Sequence, residues 1–403
     1  MFHGWRVVGV CFVAAVFTWG FGVFGSSVYL SEITRAHVWP TSIVSAAITV
    51  FFLTNAIVLS AVSAGISRFG PRYVISGGAL LLGAGIVAVG RLEALWQLFA
   101  AFACMGVGYA TMSVAGLSAT IAPWFERYQG RSITLALTGA SVGAMVVVPL
   151  LVMAIARWGF AEATMLSALL VVVFMLPLSL VVFRFRGPGE LDLGKDGSRG
   201  KCKPHGEIAD RHTSTKAVVS RRSWALWSVA IAFSLGLVVQ VGFLTHHFAL
   251  ALPSLGSVGA GWLIGATGLA GLLGRLLLAK VVDRLDPRSY SAGVFLVQVA
   301  ALGAIPVFAS GFVLILGSLV YGFCLGQITT LSPIVVRREF GADAFAAMYG
   351  VAGTAIQFCS AFGPAFYGAL FEYMGGYGPV LGIAAGFELA AALVILSHRR
   401  RRA

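Results

Sequence analysis

Residues 42–66 read SIVSAAITVFFLTNAIVLSAVSAGI, and residues 67–72 that follow read SRFGPR. The first stretch holds no charged side chain over 25 residues. About 20 apolar residues are enough for a helix to cross the roughly 30 Å hydrocarbon layer of a bilayer. The short stretch places two arginines, a glycine and a proline together, a turn in which Pro71 suits the first position of a new helix. An apolar run resumes at 73–90. Two membrane-crossing segments joined by a basic turn is the reading, and the segments are helical because lipid offers no water to unpaired backbone groups.

Comparable runs occupy 6–30, 95–121, 131–156, 161–183, 223–249, 258–281, 290–308, 312–334, 344–370 and 377–397. With 42–66 and 73–90 this makes twelve. The first is too long for a signal-peptide core and is read as a retained helix. No ten-residue alternation of a membrane β-barrel is seen. The expected fold is therefore an all-α membrane protein of twelve transmembrane helices. Composition agrees. The chain is 59% hydrophobic and only 11% charged, too few charges to coat a water-soluble surface, for which about 25% is usual. Fifty of the 403 residues are glycine, which lets membrane helices approach closely.

The net charge of +13 would suit nucleic acid if it formed one patch, but it does not. With twelve crossings the termini share a side, and 24 of the 28 Lys and Arg residues fall there. The exceptions are Arg35, Arg91 and Arg157 opposite, and Arg275 within a segment. The positive-inside rule makes both termini cytoplasmic, in a plasma (inner) membrane, and removes the case for nucleic acid. Of five cysteines, four lie in apolar segments and Cys202 in a polar loop, without a CxxC pair or Cys/His ligand spacing. No disulfide framework, metal site or cofactor is expected.

One long polar loop, 184–222, divides the segments six and six. Its composition is that of an unfolded linker. The expected division is an N-terminal bundle 1–183, a cytoplasmic linker 184–222 and a C-terminal bundle 223–403 with a basic tail. The halves repeat. Arg68-Phe69-Gly70-Pro71-Arg72 after segment 2 is matched, 216 residues on, by Arg284-Leu285-Asp286-Pro287-Arg288 after segment 8. Two pseudo-symmetric six-helix halves point to a transporter with its site near the midplane.

On these features the sequence resembles the major facilitator superfamily. Ser63, Ser67, Arg68, Gly70 and Arg72 are similar to its signature Gly-x-x-x-Asp-Arg-x-Gly-x-Arg, with serines in place of the usual Gly and Asp. The second copy keeps Asp283 and Arg284, with Ala279 and Asp286 where Gly is usual. The resemblance implies a conformational latch made by Arg68, Arg72, Asp283 and Arg284. A narrower resemblance is to the monocarboxylate transporter family and its bacterial relatives, the oxalate/formate exchangers included. It rests on Gly4-Trp5-Arg6-Val7-Val8, on Leu30-Ser31-Glu32 leading to Trp39, Ser42 and Ser45, on Trp124-Phe125-Glu126-Arg127 followed by Gly139-Ala140-Ser141-Val142-Gly143, and on Arg275 eight residues before Asp283. Family members often carry an acid four positions before that arginine, where this chain has Gly271, and a lysine in segment 1 or 11, absent here.

Arg275 is the strongest candidate for function. A centred arginine costs about 2.5–3.5 kcal/mol on insertion scales, and its forked guanidinium matches a carboxylate. The bland alternative is a structural ion pair, yet the one acid deep in a segment, Glu388, sits in segment 12, which the resemblance places at the periphery. His246 and His247 near the outer end of segment 7 are proton-coupling candidates, or else interfacial residues facing water. Tyr109, Tyr321, Gln327, Gln357, Asn55 and Gln240 are polar groups at membrane depth, read either as substrate contacts or as interhelical hydrogen bonds.

The resemblance implies a secondary active transporter of a small monocarboxylate, lactate- or pyruvate-like, proton-linked and working by alternating access, with Arg275 holding the carboxylate. A single fixed cation suits a monoanion. Expected partners are the lipid bilayer, the carboxylate and protons, with the chain working as a monomer. An exporter of a neutral or amphipathic compound and a non-transporting sensor stay open. An enzyme is disfavoured, since no Gly-Lys-Ser/Thr nucleotide loop is present.

Overall fold

The computed structural model describes residues 2–191, 194–197 and 224–398. Among the described residues every regular element is helical. Eleven helices are long and apolar enough to cross a membrane: α1 His3–His37, α2 Thr41–Phe69, α3 Pro71–Val89, α4 Leu95–Trp124, α5 Gln129–Trp158, α6 Phe160–Val182, then Trp224–Val281, Pro287–Phe308, Gly311–Gly341, Asp343–Met374 and Tyr377–Leu396. The 58 residues of Trp224–Val281 would reach about 87 Å, far beyond one crossing. They break at Gly256, whose φ of 66° and ψ of 176° end one helix and start the next. The two pieces are α7 (224–255) and α8 (257–281), giving the twelve crossings expected. The remaining four helices are α9 to α12 in chain order. Gly341, with φ 77°, makes the same kind of break between α10 and α11. Both need a backbone conformation that side-chained residues rarely adopt.

By packing, the chain falls into two compact units, Met1–Glu32 with Val50–Ala209, and Ile33–Thr49 with Asp210–Ala403. The expected first bundle, 1–183, did not single out residues 33–49.

In the first unit α1 crosses α5 at close range. A side-chain carbon on Gly139 would strike the Phe12 carbonyl, and one on Gly143 the Val16 carbonyl. The Gly139–Gly143 motif is thus a backbone-to-backbone seam of the kind small residues permit. Where the two helices meet, both widen into π turns, Thr18–Phe24 and Gly143–Val147, a feature common at functional sites. α6 turns Leu169, Val173 and Phe174 outward, as a lipid-facing helix should. The described part of the linker is not simply unfolded. It forms short 3-10 turns at Pro188–Leu191 and Lys195–Gly197. The Asp196 carboxylate accepts the backbone N–H groups of Glu126, Arg127 and Tyr128, the Arg127 bond at 2.8 Å. A carboxylate accepting the N–H groups of the turn just before α5 ties this piece of the linker down.

In the second unit Phe233, Phe295, Leu331, Val335 and Ile395 are core residues buried to within a few per cent. Arg288 sits among them, 3% exposed. All five of its N–H donors are used. Two go to Glu339 as a fork, and the rest reach Ser228 Oγ at 2.9 Å, the Ile395 carbonyl at 2.8 Å and the Ala225 carbonyl at 2.8 Å. Arg338 donates to the carbonyls of Leu285 and Val282, both at 2.7 Å. The basic turn of the second half is therefore clamped by Arg288 and Arg338, neither among the residues expected to form a latch.

Candidate functional site

α8 and α10 approach along small residues. A side-chain carbon on Gly274 would strike the Phe323 carbonyl, and one on Gly326 the Gly271 carbonyl. At this seam the half-buried Arg275 donates from Nε to the Gly326 carbonyl at 3.3 Å. No acid stands within salt-bridge distance of it among the described residues. Gly271, at the position where relatives often have an acid, is a packing surface. A carbon added there would lie 3.2 Å from the Gly322 carbonyl. Gln327, whose side chain runs beside Gly274, accepts a hydrogen bond from the Tyr290 hydroxyl of α9. That polar group is at least partly a structural one.

The histidines depart from the interfacial alternative, since each is 1% exposed. His246 Nε2 lies 3.1 Å from Ser45 Oγ and 3.3 Å from the Pro364 carbonyl, and its Nδ1 is 3.0 Å from the Tyr377 hydroxyl. His247 Nε2 lies 3.0 Å from Ser318 Oγ. Its Nδ1 has no partner among the described residues, and its ring packs on Phe243 at 4.7 Å. Phe243 also meets Tyr321 at 4.5 Å.

Glu388 is wholly buried on the inward face of α12, whose Leu389 and Leu393 are exposed. The phenols of Tyr321 and Tyr367 and the thiol of Cys324 are its titratable neighbours. The sequence signal was a lone acid in an otherwise charge-free run. Gln240 is buried, with Oε1 unpartnered among the described residues. Gln357 on α11 is half-buried.

In the first unit Tyr109 is 7% exposed and is walled by Trp19 at 5.5 Å and Phe51 at 5.1 Å. Gly22 of the α1 π turn lies against its ring, where an added carbon would come within 3.1 Å. Asn55 is buried with Oδ1 unpartnered among the described residues. Of the latch candidates, Arg68 and Arg72 lie over the adjoining rings of Phe69 and Tyr73, Arg284 is exposed, and the Asp283 side chain lies outside the described residues.

The sequence model of the Major Facilitator Superfamily matches residues 10–364. The chain belongs to this superfamily. It is 24% identical over 350 residues to MFS-type transporter 1 of Ophiocordyceps sp., covering 84% of this chain and 72% of that one. It is 22% identical over 296 residues to monocarboxylate transporter 12 of Rattus norvegicus, covering 68% of this chain and 60% of that one. Among solved structures the D-xylose-proton symporter shares the fold at a TM-score of 0.75 and 13% identity, covering 97% of both chains. The nucleoside transporter NupG does so at 0.73 and 11%, covering 98% of this chain and 99% of that one. As a major facilitator protein the chain is a multi-pass membrane transporter and not an enzyme. The site candidates read from the sequence then group by unit. Arg275, Gln327, Tyr321, His246 and His247 belong to the second, Tyr109 and Asn55 to the first.

Proposed function

We propose that this protein moves a small monocarboxylate across the membrane together with a proton, by alternating access, and that Arg275 holds the carboxylate. The observation that carries the reading is a guanidinium inside α8 bonded only to a backbone carbonyl, with no acid in reach among the described residues. A substrate carboxylate would supply the missing charge and a paired hydrogen bond. The likeness to a protein named monocarboxylate transporter 12 supports the substrate class. Tyr109, Tyr321, Gln327, Gln357, Asn55 and Gln240 are the remaining proposed substrate contacts, and the basic asymmetry of the sequence supports cytoplasmic termini.

The test is lactate binding by purified, monodisperse protein. Arg275→Gln is expected to lose about 3–5 kcal/mol, the usual cost of removing one partner of a buried charge pair, which is about 10² to 10³ in affinity or more. Arg275→Lys keeps the charge without the fork and is expected to bind weakly but measurably. Normal lactate affinity in folded Arg275→Gln would overturn the anion site and favour a neutral substrate.

A further inference from the structure

We propose that Glu388 is the carboxyl that takes up a proton and gives it back during the transport cycle, a proposal that rests on the proton-linked reading above and adds its proton site. Glu388 is 0% exposed, and the Tyr321 phenol is the side chain nearest to hydrogen bonding with its carboxyl. The groups that face it are the phenols of Tyr321 on α10 and Tyr367 on α11 and the thiol of Cys324 on α10. From α7 the neighbour is Gly236, where an added carbon would lie 3.4 Å from Glu388 Oε2. None of these is a cation. An ionised carboxylate buried alone is far costlier than a neutral acid, so the site suits a carboxyl that carries a proton while shut away. A purely structural role is a poor explanation, because a buried acid with no cation beside it adds little that an amide or apolar residue of similar volume would not. Ionisable groups at membrane depth mark proton and substrate pathways.

The surroundings are polar and aromatic toward the end of α12. The Tyr367 ring stacks on His246 at 5.7 Å, and His246 Nδ1 lies 3.0 Å from the hydroxyl of Tyr377. Tyr377 opens α12 and is half-buried. Glu388 stands eleven residues further along the same helix, about 16 Å deeper. The hydrogen-bonded part of this line runs from Tyr377 to His246, and from there the Tyr367 ring, whose hydroxyl has no partner among the described residues, separates the imidazole from Glu388. The step is a bare proton transfer, carboxylate plus proton to carboxylic acid, with no redox partner needed.

The experiment uses the full chain. In proteoliposomes, Glu388→Gln is expected to lose lactate accumulation driven by an inward proton gradient and to keep exchange of labelled for unlabelled lactate. Accumulation with the wild-type pH profile would overturn the proposal. So would a profile flattened by His247→Ala and not by Glu388→Gln. A readout independent of substrate is the infrared carbonyl stretch of a protonated carboxyl in purified protein. The band should titrate in the wild type and be missing in Glu388→Gln, and its persistence in that variant would overturn the proposal. Dicyclohexylcarbodiimide, which attacks protonated buried acids, should label Glu388 of the unmodified chain, less at alkaline pH. An unlabelled Glu388 would count against it. Failure of the wild type to exchange lactate would instead sink the monocarboxylate reading, leaving the infrared and labelling results to decide Glu388.

Discussion

Glu372, near the end of α11, holds Ser42 twice: one carboxylate oxygen accepts its backbone N–H at 2.9 Å, the other its hydroxyl at 2.7 Å. Ser42 lies in the first turn of α2, where N–H groups have no partner within the helix and negative charge is favoured. The same helical face continues inward. Ser45 Oγ meets His246, and Thr49 Oγ1 accepts the N–H of Ala365 at 3.0 Å. Residues 42, 45 and 49 follow the three-to-four spacing of one helix stripe. That polar stripe ties residues 42–49 of α2 to α7 and α11.

Glu372→Ala is therefore expected to loosen residues 41–49 specifically. Loss of a capping carboxylate costs about 1 kcal/mol, which corresponds to roughly fivefold faster opening. Amide hydrogen exchange resolved to this segment is the measurement. Glu372→Gln keeps an acceptor oxygen and should fall between. Exchange unchanged in Glu372→Ala would mean that Ser45 and Thr49 hold the segment without the cap.

Arg288 gives a stability prediction. Its guanidinium satisfies five donors at once and pairs with Glu339. Arg288→Ala leaves Glu339 and two carbonyls without their donor, a loss of about 3 kcal/mol, and should lower the unfolding temperature of detergent-purified protein. Arg288→Lys has three donors and no planar fork, and is expected to recover less than half of the loss. Full recovery by lysine would show that charge alone matters there. The equivalent first-half arginine, Arg72, has Nε buried without a partner among the described residues, so Arg72→Lys is expected to be milder.

The crossings were legible because lipid imposes a simple demand, a charge-free run of sufficient length. The basic turns between them were legible because lipid excludes their charges. What escaped the sequence were relations that only packing creates. Arg288 and Glu339 are 51 residues apart, and no local spacing pairs them. Which face of α12 carries Glu388 was not legible either, and packing turns it inward while Leu389 and Leu393 face out. The histidines stood near the end of a segment and so suggested water, but Ser45 and Tyr377 close over His246. Gly271 looked like a missing acid, and its use became visible only with Gly326 across the seam.

That seam gives the last prediction. Arg275 donates to the carbonyl of Gly326, and Gly326 itself is pressed against the backbone of Gly271. A methyl group at Gly326 meets the Gly271 carbonyl, which is backbone and cannot swing aside, so α8 and α10 must move apart. Overpacking of this kind costs about 1–3 kcal/mol. Because Arg275 is one residue past Gly274 on the separating helix, the same movement shifts the guanidinium. Gly326→Ala is expected to lower both the unfolding temperature and lactate affinity, although residue 326 offers substrate no side chain. Gly350→Ala is the control, since an added carbon there meets nothing within 4 Å. It should not lower stability, and as a mid-helix change from Gly to Ala it raises it by up to about 1 kcal/mol. If Gly326→Ala destabilises the protein yet binds lactate normally, the α8–α10 spacing does not position Arg275, and the anion site must be sought elsewhere.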